Sequence, residues 1–115
     1  MLYFVQFKTR NNDTYIKVGI TGQIKERFYA LQRGLPFKLE LLHLFDVPKY
    51  QEIERKIKRF IKSDLIGEWF LLSDDNANSF EKIFELLSGY RVDDALEIIG
   101  HDNESISSLI EEELQ

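Results

Sequence analysis

The stretch TYIKVGITGQIKERFYAL, residues 14–31, decides the fold. Its first part is rich in β-branched and aromatic residues, and it predicts a strand over residues 14–20. Glycines then interrupt the strand, and apolar residues return as Ile24, Phe28 and Leu31, which is the spacing of an amphipathic helix. The chain therefore runs from a strand through a glycine turn into a helix.

The flanking sequence extends this unit on both sides. Residues 2–8 pair with 14–20 as a hairpin around the turn signal at residues 10–13, and residues 38–46 give a third strand. A helix opened by Pro48 carries a basic face and an apolar stripe formed by Tyr50, Ile53, Ile57, Phe60 and Ile61. We predict an α+β domain: a small three-stranded, mainly antiparallel sheet flanked by helices, with extra helices at the C-terminal end.

The later segments are shorter. Residues 69–72 read as a short apolar strand, and Ser73 begins a cluster typical of a helix N-cap. Apolar residues fall on both faces of the hairpin, which indicates a sheet covered on both sides.

Composition and charge narrow the class of protein. Hydrophobic residues make up 43% of the 115-residue chain and charged residues 30%, so a folded domain is expected. There is no cysteine, no signal-peptide pattern and no long apolar run, which predicts a cytoplasmic protein without a membrane span.

The charge is unevenly distributed. Residues 1–70 carry 13 Lys and Arg against 8 Asp and Glu, whereas residues 71–115 carry 2 against 12. A basic working part over residues 1–73 and an acidic helical extension over residues 74–115, packed on the same domain, are therefore expected.

Tyr3, Lys17 and Gly19 are the first candidate site. Lys17 and Gly19 share a face of their strand, and Tyr3 joins them if the connecting loop has an odd number of residues. An adjacent ammonium favours the phenolate, which would make Tyr3 a general base. The alternative is a strand tyrosine packed in the core with its hydroxyl at the edge.

Arg27 and the acidic residues of the Pro48 helix are further candidates. Arg27 borders the buried stripe, close to a helix start that could receive a phosphate; otherwise it is a surface arginine. Glu54 could bind a hard cation such as Mg²⁺, or it forms an i, i+4 ion pair with Lys58. His43 is expected to be a core histidine rather than a metal ligand.

The order of these features resembles the GIY-YIG nuclease superfamily, in particular its short phage and bacterial branch with a GEWF-type motif. The resemblance covers about residues 1–73. The stretches that carry it are YIKVGIT at 15–21, Arg27 with Leu31-Gln32, Leu41-Leu42-His43, and Gly67-Glu68-Trp69-Phe70.

The resemblance implies a role for each matching residue. Tyr3 would be the general base aided by Lys17, Arg27 would stabilise the phosphate, and Glu54 would hold Mg²⁺ or Mn²⁺, with Glu52 as the fallback ligand. The first motif has Met1 where the family has glycine, and Lys58 stands where the branch often has histidine.

The remaining assignments concern DNA and the motif at residues 67–70. Gly19, Gly67, Glu68, Trp69 and Phe70 would be structural, with Trp69 and Phe70 in the core below the sheet and Glu68 near the rim of the site. Basic side chains are expected to grip the DNA backbone, namely Arg10, Lys25, Arg33, Arg55, Lys58, Arg59 and Lys62.

Three functions remain open from the sequence. The first is a metal-dependent DNA endonuclease. The second is a catalytically weak DNA-binding or regulatory module of the same fold. The third is a phage-type protein-interaction factor that acts through the acidic tail, where residues 101–115 would form a homodimer or partner helix.

Overall fold

The computed structural model describes residues 1–61, 65–95, 97 and 99. Within these residues the chain forms five strands, three α-helices and one 3₁₀ turn. The strands are β1 Leu2–Lys8, β2 Thr14–Ile20, β3 Glu40–Phe45, β4 Leu65–Ile66 and β5 Trp69–Leu71. The helices are α1 Ile24–Arg33, α2 Tyr50–Phe60 and α3 Asp74–Leu87, and the 3₁₀ turn is Ser88–Tyr90.

The strands form one antiparallel sheet in the order β3-β1-β2-β5-β4. The α+β class is therefore confirmed, but the prediction of three strands was wrong, since the described part of the sheet has five. The extra strands are the β4–β5 hairpin, which joins the sheet where Tyr15 pairs with Leu71 and Ile16 with Phe70. A strand of two residues has no periodicity that the sequence could reveal.

Strand β3 contains a bulge that shifts its register against β1. The register against β1 shifts between Phe4 and Val5, so that β3 has one residue more than its partner. As a result Leu44 lies opposite Tyr3 and Leu41 lies opposite Val5, and both leucines pack on the face that carries Tyr3.

Two hydrophobic clusters cover the two faces of the sheet, as the sequence predicted. The Tyr3 face packs against Ile24 and Phe28 of α1 and against Ala95 and Ile99. The other face, which we call the Phe4 face, packs against α2 and α3 through residues that include Ile57 and Phe80. The predicted stripe of α2 is confirmed for Ile53, Ile57 and Ile61, whereas Phe60 is 68% exposed.

The chain after β5 continues the same core. Ser73 caps α3 in a reciprocal arrangement with Asn76, which confirms the predicted N-cap. Among the described residues, no helix combines the length and the apolar character needed to cross a bilayer. The proposed DNA contact Lys62 and the proposed partner helix at residues 101–115 lie outside the described residues.

Candidate functional site

The candidate site begins where Tyr3 crosses Gly19. The loop between β1 and β2 has five residues, 9–13, and the resulting register places Tyr3 opposite Gly19 and Val5 opposite Lys17. Because cross-strand partners share a face, Tyr3, Lys17 and Gly19 lie on the same side of the sheet, as the parity of their positions predicted.

Gly19 is needed here because the tyrosine ring approaches its backbone closely. A Cβ at position 19 would overlap the hydroxyl and ring carbons of Tyr3. Tyr3 is only 2% exposed. The absence of a side chain at Gly19 therefore leaves the space that the Tyr3 ring occupies.

Lys17 is a buried cation held by a carboxylate from a distant part of the chain. Its ammonium donates a hydrogen bond of 2.6 Å to Oε2 of Glu68, in the turn between β4 and β5. The Lys17 side chain is 9% exposed and that of Glu68 is 76% exposed. Glu68 thus lies near the candidate site, as expected, and forms a direct ion pair with Lys17.

The electrostatic surroundings of Tyr3 differ from the expectation. Burial, above all, raises the pKa of Tyr3 above its ordinary value, and the charge of Arg27 acts in the opposite direction. The carboxylates of Glu54 and Glu68 raise the pKa further. The expectation that Tyr3 ionises more easily was wrong, because its pKa is raised, and the positive charge that lowers it comes from Arg27.

Arg27 lies on the second turn of α1 with an exposed side chain. Its charge acts on both Tyr3 and Glu68. A shallow depression lined by Thr21, Gln23 and Glu26 adjoins it. Arg27 can therefore contact an anion from solvent while it remains within electrostatic reach of Tyr3.

The structure distinguishes between the two candidate carboxylates of α2. Glu54 is half-buried and its charge acts on Tyr3, whereas Glu52 is exposed and has no such effect. Oε2 of Glu54 lies 3.8 Å from the Lys58 ammonium, which is the i, i+4 pair that the sequence offered as the alternative. Glu54 thus takes part in the pair and also faces the site.

The donor set around Glu54 limits the kind of cation that would fit. Over the described residues, no group of three or more His, Cys, Asp and Glu could hold a metal. Mg²⁺ keeps several waters and is often bound by one or two carboxylates together with substrate phosphates. A single half-buried carboxylate beside Tyr3 fits such a hydrated ion, in place of the Lys58 pair.

The predicted DNA-binding cations do not all lie near this site. Arg55, Lys58 and Arg59 are exposed on α2, whose residues contact β2. Lys25 and Arg33 are exposed on α1. Arg10 belongs to the β1–β2 loop, at the other end of the hairpin from Tyr3. The five residue steps from Tyr3 to the end of β1 at Lys8 span about 17 Å.

The segment at residues 67–70 is a hairpin turn followed by a strand. Gly67 has φ of +64°, a left-handed conformation that glycine adopts without strain. Phe70 is fully buried on the Phe4 face, whereas Trp69 packs on the Tyr3 face, with its ring 4.8 Å from that of Phe7. The expectation that both rings lie on one side was wrong, because successive strand residues point to opposite faces.

His43 belongs to the core side, as expected. It is half-buried on the Phe4 face, with its ring 4.4 Å from Phe84 and 5.4 Å from Phe45. Burial, and secondarily the charge of Arg91, lowers the pKa of His43.

The role of Glu68 as the partner of Lys17 is what the sequence interpretation missed. The signal was present: two apolar residues, Gly67-Glu68, and two more apolar residues form a pattern typical of a two-residue hairpin. Such a hairpin beside β2 brings its turn residues close to Lys17.

Comparison with protein families gives a match to the T5orf172 domain over residues 1–97. Comparisons with curated proteins and with solved structures gave no match. The matched range includes the five strands and three α-helices formed by the described residues.

Proposed function

The chain belongs to the T5orf172 domain family, and from that membership and the site we propose that it is a metal-dependent DNA endonuclease of GIY-YIG type. This domain occurs in phage and bacterial proteins, often in nuclease contexts. The observation that carries the proposal is that Tyr3, Lys17 and Gly19 share one face of the sheet, where Glu68 binds Lys17 at 2.6 Å and the charges of Arg27 and Glu54 act on Tyr3.

In the proposed reaction, water attacks a DNA phosphorus and the bond to the 3′ oxygen breaks. Tyr3 accepts the proton of the attacking water, and Arg27 neutralises the charge that develops on the phosphate. The raised pKa means that Tyr3 holds its own proton in the protein without DNA. Tyr3 must therefore first give that proton to solvent, a step that the charge of Arg27 favours, and the leaving 3′ oxygen takes a proton from water.

Glu54 is the proposed ligand for Mg²⁺ or Mn²⁺. A bound ion would stabilise the leaving 3′ oxygen and offset the Glu54 charge. Lys58, which is 41% exposed in its side chain, is free to leave Glu54 for solvent or a DNA phosphate. The exposed cations of α2 supply sequence-neutral contacts to the DNA backbone.

The test is plasmid cleavage with Mg²⁺ and with a chelator, using Tyr3→Phe, Arg27→Ala and Glu54→Gln. We expect each change to reduce the cleavage rate by about 10²-fold or more, and the chelator to abolish cleavage. Glu52→Gln is the matched control, because Glu52 is exposed on the same helix, and it should cleave like the wild type. Cleavage that survives all three site changes would refute the assignment.

A DNA-binding module without strong cleavage is the second candidate. The observation in its favour is the Lys58–Glu54 pair, since an ammonium 3.8 Å from the carboxylate competes with a cation for it. Salt-sensitive DNA binding by a wild-type protein that does not cleave with either Mg²⁺ or Mn²⁺ would identify this function instead.

A further inference from the structure

Lys17 depends on a partner because its charge lies within the sheet. It occupies a central strand opposite Val5, and as the diagonal neighbour of Tyr3 its Cβ is about 7–8 Å from that of the tyrosine. Its side chain is only 9% exposed. A buried charge without a counter-charge is strongly unfavourable, so the ammonium stays in place only if an anion holds it there.

Glu68 has no such need of Lys17. Its side chain is 76% exposed and projects from a two-residue turn, where water could solvate the carboxylate. The hydrogen bond from Lys17, and then its charge, lowers the pKa of Glu68, with smaller effects of Lys58 and Arg27 in the same direction. Glu68 is therefore an anion that the fold places next to Lys17. The positive charges that act on it come from β2, α2 and α1.

We propose that Glu68 is a positioning residue of the catalytic site, which acts by holding the Lys17 ammonium on the face of the sheet that carries Tyr3. The proposal rests on the proposed nuclease function and adds the β4–β5 turn to the machinery of that site. Without the Glu68 charge, the Lys17 ammonium leaves its place. The site then loses the fixed position of the Lys17 charge, although no DNA-contacting residue has been removed.

The test compares Glu68→Gln, Lys17→Met and the double variant with the wild type. Glutamine keeps the length of the side chain and removes its charge, and methionine replaces the lysine stem with an apolar chain of similar size. Glu81→Gln is the matched control, since Glu81 is an exposed glutamate on α3, across the sheet from Tyr3. Thermal unfolding followed by circular dichroism verifies that each variant is folded.

Labelling of lysines is the first readout, and it requires neither DNA nor cleavage. The protein is treated briefly with an amine-reactive reagent, and the modification of Lys17 is measured by mass spectrometry relative to exposed Lys82. We expect Lys17 to be protected in the wild type and in Glu81→Gln, and to react several-fold more in Glu68→Gln. Equal protection in Glu68→Gln would overturn the proposal.

Single-turnover cleavage and DNA affinity at fixed salt are the second readout. We expect Glu68→Gln to cleave about 10- to 100-fold more slowly with an unchanged dissociation constant, since displacement of a site group affects the reaction more than binding. In the Lys17→Met background, Glu68→Gln should have no further effect, because Glu68 acts through Lys17.

Two results would overturn the proposal. Tighter DNA binding with undiminished cleavage in Glu68→Gln would mean that Glu68 competes with the phosphate, and a further loss in the Lys17→Met background would mean that Glu68 acts independently. Absence of cleavage by the wild type would refute the proposed function and the catalytic part of this proposal, while the labelling still decides whether Glu68 holds Lys17.

Discussion

The pKa of Tyr3 is set by opposing effects from different parts of the chain. Burial and two carboxylates raise its pKa, and Arg27 lowers it. The shared face of Tyr3 and Gly19 could be predicted from the alternation of side chains along two adjacent strands. The charge balance was not predicted, because it includes Glu68, which is 51 residues away from Lys17 in the sequence and was assigned only to the rim of the site.

The raised pKa of Tyr3 predicts a specific alkaline instability. The folded protein keeps the phenolic proton to higher pH than the unfolded chain, where tyrosine ionises near 10.0. The stabilising contribution is therefore fully present below pH 10.0 and is lost as the pH rises through the folded-state pKa. Chemical denaturation at neutral pH and above pH 10.0 should show a larger loss of unfolding free energy for the wild type than for Tyr3→Phe.

Tyr50→Phe is the control for this measurement. Tyr50 is 37% exposed, so its removal should leave the alkaline loss as it is in the wild type. An identical loss in the wild type and Tyr3→Phe would contradict the assignment of a raised pKa to Tyr3.

Among the elements, the short β4–β5 hairpin supplies Glu68, the partner of Lys17. Its two turn residues, Gly67 and Glu68, connect strands of two and three residues. The longer elements β1, β2, β3, α1 and α2 were predictable because each spans enough residues to show a period of two or about 3.6. Of the hairpin, only the strand at residues 69–72 was predicted, from its run of apolar residues, because β4 is shorter than any such period needs.

Substitution of Gly67 tests the hairpin at the level of its backbone. Because Gly67 has φ of +64°, Gly67→Ala should lower the unfolding free energy by about 1–2 kcal/mol, measured by chemical denaturation. Asparagine tolerates this conformation better, so Gly67→Asn should cost less. Gly89→Ala is the control, since nothing lies within 4 Å of its added methyl group, and an equal cost there would contradict the explanation.

Across the whole molecule, the boundary between basic and acidic sequence does not coincide with a boundary in the hydrophobic core. The sign of the charge changes after about residue 70, whereas the apolar core continues beyond it, because Phe80 and Leu87 of α3 pack in the same cluster as Phe4. Composition predicted the uneven charge, but only the folded arrangement separates cations that share a surface with the site from those that do not. Arg10 illustrates the difference, since its loop lies at the far end of the hairpin.

The proposed DNA interface predicts a graded dependence on salt. Arg55→Gln and Arg59→Gln on α2 should each weaken DNA binding for all sequences and reduce the slope of log affinity against log salt by about 0.9 for every phosphate that the variant no longer neutralises. Arg10→Gln should change neither quantity. Fluorescence anisotropy titrations at several salt concentrations provide the measurement, and an equal effect of all three changes would refute an interface centred on α2.

The packing of Tyr3 against Gly19 also determines when the Tyr3 ring loses its conformational entropy. A ring packed against backbone on one side and core on the other has lost its rotational freedom by the time the chain has folded. That entropy is spent in folding, and no further ordering of the ring opposes the encounter with substrate. Adaptation to differently shaped substrates then depends on the exposed side chains of α1 and α2, such as Arg27 and Arg59.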